Sequence, residues 1–452
     1  WITMSFLYIT AFYFTTSLEI HGDVMSVAGI IAEYNPLHQG HLFHFRQSLK
    51  ETGADYAICI MSSNFVQRGE PAIFDKWART KMALGIGIDL VIELPSAFAC
   101  SSAEYFASAA VQILDSLNCV DYLCFGSEEG KIGNLERAAE FLANESREFK
   151  TELKKALDEG LSFAAARQKA LSNCKNVPRG ISSVLSDPNN ILSVEYIKAI
   201  KRSESKIKPV TIKRIGQGYN SIEHAASFSS ATAVRHYLSK IDGINCSDFD
   251  SSKLMKDGFL INNLPESSLE IISKETALGR GPVFPEALES ILLYLLRKTP
   301  VNELKKLPYV AEGLENRLKD AAISSVSLSE VISGTVTSRY PASRIRRILC
   351  AMLTGMTADF LEELKENRYA QYIRILGFNE KGRSLLNKIK KNSKLPIITK
   401  PASYIKLSNP LARKLFEHEI RTTDAYALAY PDIKQRIGGT ELKSGPVYFK
   451  HN

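Results

Sequence analysis

The sequence predicts an α/β fold, with a Rossmann-like parallel-sheet domain followed by a mainly helical C-terminal domain. Short apolar runs of strand length alternate with helix-length segments in the first half, which is typical of parallel sheets covered on both faces. From about residue 251 the pattern changes to long amphipathic segments. The 452 residues also exceed the size of one ordinary hydrophobic core, so we expect more than one domain.

Five apolar runs are the candidate strands of the parallel sheet. The first, at 26–32, is rich in β-favouring residues, and apolar residues at helical spacing follow it between His38 and Lys50. The other runs lie at 56–61, 90–94, 121–125 and 210–215. Helix-length segments such as 76–85 and 103–117 separate these runs, as the connections of a parallel sheet require.

The second half of the chain is predicted to be mainly helical. Its amphipathic segments lie at 287–297, 314–323, 342–353, 359–363 and 422–429. The run at 395–400 is expected to be an isolated late strand. We therefore divide the chain into a parallel-sheet domain at 25–250 and a mainly helical domain at 251–452.

Residues 1–24 are expected to be an extension that the native protein lacks. No Lys or Arg precedes their apolar run and no small-residue cleavage pattern follows it, so they do not fit a secretory signal. The chain begins with Trp1, and Met25 stands directly before the first predicted strand. Met25 is therefore the expected start.

Composition predicts a cytoplasmic protein with an anionic partner and no membrane partner. Lys and Arg number 57 against 49 Asp and Glu, and the resulting net charge of +8 suits a polyanion. The seven cysteines are scattered without a CxxC pair, which indicates neither a disulfide framework nor a zinc site. No metal site built from protein ligands is expected.

Two histidines stand where a parallel sheet binds its ligands. His38 and His41 are separated by Gln39 and Gly40, at the start of the helix after the first strand. A helix amino terminus beyond the carboxyl end of a strand offers N–H groups and partial positive charge to phosphate. The imidazoles can donate hydrogen bonds to an α-phosphate as its charge rises, and Gly40 lets the backbone come close.

Two alternatives for this histidine pair stay open. His38 and His41 could be ordinary polar residues at a helix start. They could also be a zinc pair, although a third ligand with obvious spacing is missing.

A second cluster of hydroxyls and an arginine precedes another amphipathic helix. Ser229, Ser230, Thr232 and Arg235 lie in the segment SSATAVR at 229–235. Hydroxyls at this place either cap the helix or hold phosphate, and a planar guanidinium suits the β- and γ-phosphates. A plain helix cap remains the alternative.

The two segments together resemble the paired signatures of the class I nucleotidyltransferase superfamily, although the second contains an inserted alanine. A longer series of motifs resembles the tRNA(Met) cytidine acetate ligase family. The motifs are, in order, GIIAEYNPLHQGH at 29–41, QRGEPA at 67–72, KWARTKMA at 76–83, DLVIELP at 89–95, FGSE at 125–128, PNNIL at 188–192, KRI at 213–215, RYPASRIRR at 339–347 and YIRILGF at 372–378.

This resemblance implies a Rossmann-like nucleotidyltransferase domain and a two-step reaction. ATP and acetate would give acetyl-adenylate and pyrophosphate, and the acetyl group would pass to the wobble cytidine of elongator tRNA(Met). Mg²⁺ would accompany ATP, held mainly by phosphates and water. His38 and His41 would be catalytic. The ATP-binding residues implied are Ile31, Ala32, Glu33, Tyr34, Asn35, Pro36, Leu37, Gln39, Gly40, Leu42, Phe43, His44, Gly126, Asn189, Arg214 and Ile215.

Several of these assignments have a simpler alternative. Asn189 cannot be distinguished from Asn190 in sequence, and either can belong to a turn. A carboxylate at Glu33 could orient a histidine or a bound magnesium. Arg68, Lys76 and Arg79 could hold the acetate carboxylate or tRNA phosphate, or could be charges on a solvated helix face.

Two basic clusters in the second half are candidates for contact with the tRNA backbone. Arg344, Arg346 and Arg347 begin one helix, and further cations crowd another at Arg383, Lys388, Lys390, Lys391 and Lys394. Phosphate contacts supply most sequence-independent affinity for nucleic acid, but such clusters are also common on solvated faces.

Two other functions compete with the tRNA ligase. A small-molecule nucleotidyltransferase would share the phosphate site, but it would not need some 200 further residues with basic clusters. A nucleotide-binding regulator is disfavoured because both histidines and Arg235 are present. The oligomeric state is not predicted.

Overall fold

The computed structural model describes residues 25–175, 177–178, 180–214 and 229–450. The predicted extension at 1–24 lies outside these residues, and so does Ile215 of the predicted nucleotide site.

A central sheet carries the fold. In the described residues the strands are β1 (Val27–Ala32), β2 (Tyr56–Ser62), β3 (Phe65–Val66), β4 (Glu70–Pro71), β5 (Leu90–Leu94), β6 (Tyr122–Ser127), β7 (Lys208–Lys213), β8 (Ile373–Phe378), β9 (Ile397–Ile398) and β10 (Val447–Tyr448). The order across the sheet is β10-β8-β5-β2-β1-β6-β7, with β9 beside β8. Strands β3 and β4 form a separate antiparallel hairpin.

The five predicted strands are all present and mutually parallel. β1 pairs with β2 on one side and with β6 on the other. Outward from these, β5 follows β2 and β7 follows β6, again in parallel. The chain therefore reverses its direction of travel across the sheet at β1, and ligands of open α/β sheets bind in the crevice at such a point.

Apolar residues alternate between the two faces of these strands. In β2, Ile58 and Ile60 join one core with Leu114 of a covering helix. Cys59 and Met61 join a second core, which includes Phe45, on the opposite face. Both faces are thus buried, which explains why each strand is a continuous apolar run in the sequence.

Eleven α-helices among the described residues lie in the first part of the chain, up to Asn263. They are α1 (Gln39–Thr52), α2 (Lys76–Gly85), α3 (Ser96–Ala99), α4 (Ala103–Ser116), α5 (Ile132–Ala143), α6 (Arg147–Asp158), α7 (Phe163–Asn173), α8 (Ile181–Val184), α9 (Pro188–Arg202), α10 (Ala231–Ser239) and α11 (Gly258–Asn263).

The rest of the described chain is mainly helical, as predicted. Its α-helices are α12 (Glu266–Ala277), α13 (Glu289–Lys298), α14 (Val301–Leu304), α15 (Leu314–Ser324), α16 (Leu328–Thr335), α17 (Ala342–Thr354), α18 (Ala358–Glu366), α19 (Glu380–Asn392), α20 (Pro410–Ala427) and α21 (Thr440–Lys443). Short 3-10 helices lie at Ser251–Lys256, Pro285–Leu288, Pro401–Lys406 and Ile433–Gln435.

The expectation of an isolated late strand at 395–400 is wrong. β9 pairs with β8, and β8 itself joins the central sheet antiparallel to β5. β10 then extends the same edge. The C-terminal region therefore completes the sheet, a long-range pairing that no local sequence pattern reveals. The division of the chain at residue 250 stays a prediction.

None of the helices among the described residues is both long enough and apolar enough to cross a membrane.

Candidate active site

The loop between β1 and α1 is held by its own two histidines. His38 is the N-cap of α1, and its Nδ1 accepts a hydrogen bond from the backbone N–H of Gly40 at 3.0 Å. The Nδ1 of His41 accepts from the backbone N–H of His38 at 3.3 Å. The two ring centroids lie 3.9 Å apart. The spacing of the histidines therefore builds a reciprocal cap of the helix.

This cap determines which imidazole nitrogen carries the proton. A neutral imidazole has one donor and one acceptor, so a ring whose Nδ1 accepts must carry its hydrogen on Nε2. Burial, followed by the charges of Arg214 and Arg235, lowers the pKa of His38 to about 4. Burial also lowers the pKa of His41 well below 6.5. At neutral pH both rings are uncharged and present Nε2–H donors.

The remainder of the loop supports these rings. Ile31 and Ala32 end β1, and the ring of Tyr34 meets that of His41 edge-on at 5.1 Å between centroids. The Asn35 side chain accepts from the backbone N–H of Ile73 at 2.7 Å. Pro36 and Leu37 are buried.

The first turns of α1 carry the other predicted residues of this segment, namely Gln39, Gly40, Leu42, Phe43 and His44. The Gln39 side chain donates to the carbonyl of Leu264 at 3.0 Å, so its amide braces α1 against the end of α11. His44 hydrogen-bonds the backbone of Phe125 in β6, and burial lowers its pKa to about 4. These contacts fix α1 against the neighbouring strand.

Gly126 lies near the carboxyl end of β6, beside β1. A Cβ atom at this position would come within 3.2 Å of Cγ of Arg214, so the missing side chain lets the arginine lie across the strand. The Glu128 carboxylate accepts from Asn189 and lies 3.7 Å from Nε of Arg214. The structure thus brings Gly126, Asn189 and Arg214 together.

Burial distinguishes the two asparagines, Asn189 and Asn190. Asn190 is 2% exposed, and its Oδ1 accepts from the backbone N–H of Glu129 at 3.1 Å. Asn189 is partly exposed and faces Glu128. Asn189 is therefore the asparagine that lies toward the site.

The second cluster meets the histidine loop through Arg235. Its Nη1 donates to the carbonyl of Asn35 at 2.7 Å, and its Nη2 donates to Thr232 at 3.2 Å. Ser230 caps α10 by accepting from the backbone N–H of Ala233. The backbone N–H of Ser229 donates to Asn263 at 3.1 Å. The helix that carries this cluster therefore begins beside the loop of His38.

Contact of Lys76 and Arg79 with substrate is contradicted by their burial, since both are 0% exposed. The guanidinium of Arg79 donates hydrogen bonds to the backbone carbonyls of Glu33 at 2.7 Å, Ser62 at 3.0 Å and Phe74 at 2.9 Å. It holds the ends of β1 and β2 together.

Lys76 lies in a buried ion cluster with Glu93, Glu419 and Glu441. Burial works against its charge, but the three carboxylates more than offset this and raise its pKa. Neither acetate nor an RNA phosphate can reach an ammonium group enclosed in this way.

Of the three cations predicted to contact substrate, Arg68 is the one whose side chain is accessible. It is exposed at the turn of the β3–β4 hairpin, and its charge acts on Glu33 and Arg235. Its role as a substrate contact stays a prediction.

The arginines at the start of α17 pack on the same hairpin. Nε of Arg346 lies 3.3 Å from the Glu70 carboxylate, and Arg347 donates to the carbonyl of Gln67 at 3.4 Å. Gly69 has a φ of 80°, and a Cβ there would lie 2.4 Å from the backbone of Arg346. Arg344 donates to the carbonyl of Tyr309 at 2.8 Å. Arg346 and Arg347 therefore lie against the β3–β4 hairpin, whose Gln67 contacts Glu33 at the start of the histidine loop.

The cations of α19 lie elsewhere. Lys381 at its start donates to the carbonyl of Asp55, which precedes β2, and Lys394 beyond its end contacts Ser116, which precedes β6. These are the amino ends of parallel strands, whereas the histidine loop lies at the carboxyl ends. Arg383, Lys388, Lys390, Lys391 and Lys394 are exposed at that opposite edge.

Two residues of the site were not assigned from the sequence. Glu128 belongs to the FGSE motif and holds both Asn189 and Arg214, so the motif was the available signal. Gln67 donates its backbone N–H to Glu33 at 2.8 Å and is the first residue of the QRGEPA motif, although a backbone contact does not depend on which side chain stands there. No group of three or more metal-ligating side chains within the described ranges is arranged to hold a metal ion.

We expect the buried histidines to lower the free energy of unfolding in mild acid. His38, His44 and His418 have pKa values of about 4, whereas histidine in an unfolded chain titrates near 6.5. Above pH 7 these rings are neutral in both states and contribute nothing. Between about pH 6.5 and 4 only the unfolded chain binds protons, so the free energy of unfolding falls by roughly 3 kcal/mol per histidine.

Urea denaturation at several pH values measures this loss. His44→Gln removes one such histidine, and its stability is expected to fall less steeply, by up to about 1.4 kcal/mol per pH unit. His236→Gln is the matched control, because His236 is exposed in the folded protein. Equal slopes for His44→Gln and the unaltered protein would contradict the buried, neutral state of His44.

Known proteins resemble this chain over nearly its whole length. Residues 25–441 match the HIGH Nucleotidyl Transferase family. A tRNA(Met) cytidine acetate ligase of Acetivibrio thermocellus is 45% identical over 92% of this chain and 98% of its own length. One from Caldanaerobacter subterraneus subsp. tengcongensis is 43% identical over 90% of this chain and 96% of its own.

A solved structure agrees with these sequence relatives. The crystal structure of Thermotoga maritima TmcAL bound with alpha-thio ATP has a TM-score of 0.85 and is 35% identical, covering 94% of this chain and 100% of that one. Because the family match, the sequence relatives and the solved fold all agree, the chain belongs to the tRNA(Met) cytidine acetate ligase family within the HIGH nucleotidyl transferases.

Proposed function

We propose that this chain is an ATP-dependent ligase that forms acetyl-adenylate and transfers the acetyl group to the wobble cytidine of elongator tRNA(Met), giving N4-acetylcytidine. The observation that carries the proposal is the reciprocal cap of His38 and His41, which leaves two neutral Nε2–H donors at the start of α1. The names of the relatives supply the acceptor and the acyl donor.

The first half-reaction needs charge stabilisation more than covalent chemistry. An acetate oxygen attacks the α-phosphorus, the bond to the bridging oxygen breaks, and pyrophosphate leaves with its electrons. Negative charge grows on the α-phosphate oxygens, where two fixed N–H donors and the amino end of α1 stabilise it. Arg235 reaches over from α10 to the same loop and suits the departing β- and γ-phosphates.

Mg²⁺ fits this arrangement as a companion of ATP. The site offers few carboxylates, so phosphate oxygens and water would supply most of the ion's ligands. Bound there, Mg²⁺ would neutralise part of the charge on the triphosphate.

The acceptor is expected to approach over the β3–β4 hairpin. Arg346 is partly exposed on this side, next to the loop that would hold the adenylate. The α19 cations lie at the opposite edge of the sheet, so they are less suited to holding an anticodon loop against His41. A small-molecule nucleotidyltransferase is not favoured, because relatives of the same length carry the tRNA ligase name.

The decisive experiment is acetylation of unmodified elongator tRNA(Met) with ¹³C-acetate, ATP and magnesium, read as nucleoside mass. We expect labelled N4-acetylcytidine that disappears when ATP is omitted and when the wobble cytidine is replaced by uridine. Bound ATP without any acetylated nucleoside would reject the proposal and point to a small-molecule acceptor.

Arg346→Gln separates docking of the RNA from adenylation. We expect weaker tRNA binding and a salt dependence reduced by about one phosphate contact, because one guanidinium is lost. Acetate-dependent exchange of pyrophosphate into ATP should be unchanged. Arg347→Ala is the comparison variant, since Arg347 holds the Gln67 carbonyl and its loss should slow both steps. Equal losses in both assays for Arg346→Gln would place Arg346 in the adenylation site.

A further inference from the structure

A carboxylate, that of Glu33, joins the histidine loop to the β3–β4 hairpin. Glu33 is the first residue after β1, five positions before His38. Its backbone carbonyl accepts from Arg79 at 2.7 Å, and its Oε1 accepts from the backbone N–H of Gln67 at 2.8 Å. Both ends of the residue are therefore held in place.

The second oxygen of this carboxylate remains open. Within the described residues the hydrogen bond to the Glu33 carboxylate goes to Oε1, and no donor reaches Oε2. The side chain is partly exposed at the carboxyl edge of the sheet. Oε1 links the loop to the hairpin, but Oε2 has no partner in the part of the chain that the structure describes, and near bound ATP its charge would be unfavourable without a chemical role.

The second half-reaction requires a proton acceptor. When the exocyclic amine of cytidine attacks the acetyl carbonyl, a C–N bond forms and the acyl C–O bond to AMP breaks. AMP leaves with the electron pair, and the nitrogen must release one proton. A weakly basic aromatic amine gains from a positioned base as the new bond forms.

The two histidines of the loop cannot serve as this base. Each Nδ1 already accepts a backbone N–H, and each Nε2 carries the hydrogen that the α-phosphate needs. His44 is turned toward the backbone of Phe125, and its Nε2 is buried. Among nearby carboxylates, Glu128 is occupied by Asn189 and Arg214, and Glu70 is paired with Arg346.

We propose that Glu33 is the general base of acetyl transfer, with Oε2 taking the proton that the cytidine amine releases. This inference rests on the proposed function and names a catalytic residue for its second step. The proton passes from nitrogen to Oε2 as AMP leaves, and then to solvent.

The surroundings of Glu33 suit a base. Burial raises its pKa above the ordinary value, while the backbone N–H of Gln67 and the charges of Arg235, Arg79 and Arg68 act in the opposite direction. Burial and, to a smaller extent, the charge of Glu33 raise the pKa of Tyr196. A raised pKa makes the carboxylate a stronger base, and the three arginines favour its charged form.

Glu33→Gln tests the proposal because its amide oxygen can still accept from Gln67. Because Glu33 also belongs to the loop that is expected to hold ATP, acetate-dependent exchange of pyrophosphate into ATP is measured beside transfer and should fall far less than transfer does. Single-turnover transfer of acetyl to elongator tRNA(Met) should fall by about 10²-fold or more. In the unaltered protein the transfer rate should decline as acid protonates Glu33, and the residual rate of Glu33→Gln should lack this decline.

Glu128→Gln is the matched control, since it alters a carboxylate that holds nucleotide-site residues. It is expected to raise the ATP concentration needed for both steps without separating them. Glu33→Asp should restore part of the transfer rate together with its acid decline. Transfer by Glu33→Gln at the normal rate, or an equal loss of exchange and transfer, overturns the base role. Absence of N4-acetylcytidine with the unaltered protein instead rejects the proposed function.

Discussion

His41→Ala is expected to fold normally and to lower the rate of acetate-dependent pyrophosphate exchange by about 10²–10³-fold. On the proposed mechanism the variant loses one of two Nε2–H donors to the α-phosphate, where charge grows in the transition state. The ring also accepts the backbone N–H of His38, so its loss should reduce stability by only about 1 kcal/mol. Exchange kinetics and urea denaturation measure the two effects separately.

Two further substitutions distinguish the roles of the two ring nitrogens. The side-chain amide of His41→Asn reaches the position of Nδ1, so it should restore the cap and the stability but not the exchange rate. The longer amide of His41→Gln reaches the position of Nε2 and should recover part of the rate. A fully active His41→Asn would show that the imidazole serves only as a cap.

The strands and the histidine loop could be predicted because their signals are local. A continuous apolar run such as 56–61 is what two buried faces require, and all five runs are strands in the parallel sheet. His38 and His41 follow the first of them with the spacing of a helix cap. The resemblance to the acetate ligases, carried by ordered motifs, is likewise confirmed by the comparisons.

Other features depend on distant partners and have no local signal. In the sequence, β8 is a short apolar stretch among predicted helices. Its membership of the sheet depends on its pairing with β5, which lies far away in the chain. The prediction for Lys76 and Arg79, either contact with substrate or a solvated helix face, was based on their charge and is wrong. Both sit on a helix after a strand, where a cation is usually solvated, yet the fold encloses them completely.

The second large effect is expected from Lys76→Met, which should lower the free energy of unfolding by about 3–5 kcal/mol. Its ammonium lies among Glu93 of β5, Glu419 of α20 and Glu441 of α21. Glu419 also accepts from the backbone N–H of Ser96 at 2.8 Å. Without the lysine, three buried carboxylates face each other with Arg374 as the nearest remaining cation, 3.5 Å from Glu441.

Urea denaturation compares Lys76→Met with Lys306→Ala, which removes an exposed pair with Glu303 and should change stability by at most about 1 kcal/mol. If Lys76 instead bound acetate, Lys76→Met would keep its stability and raise the acetate KM. The stability of this variant therefore decides whether the buried cation anchors the C-terminal helices to the catalytic sheet or serves the substrate.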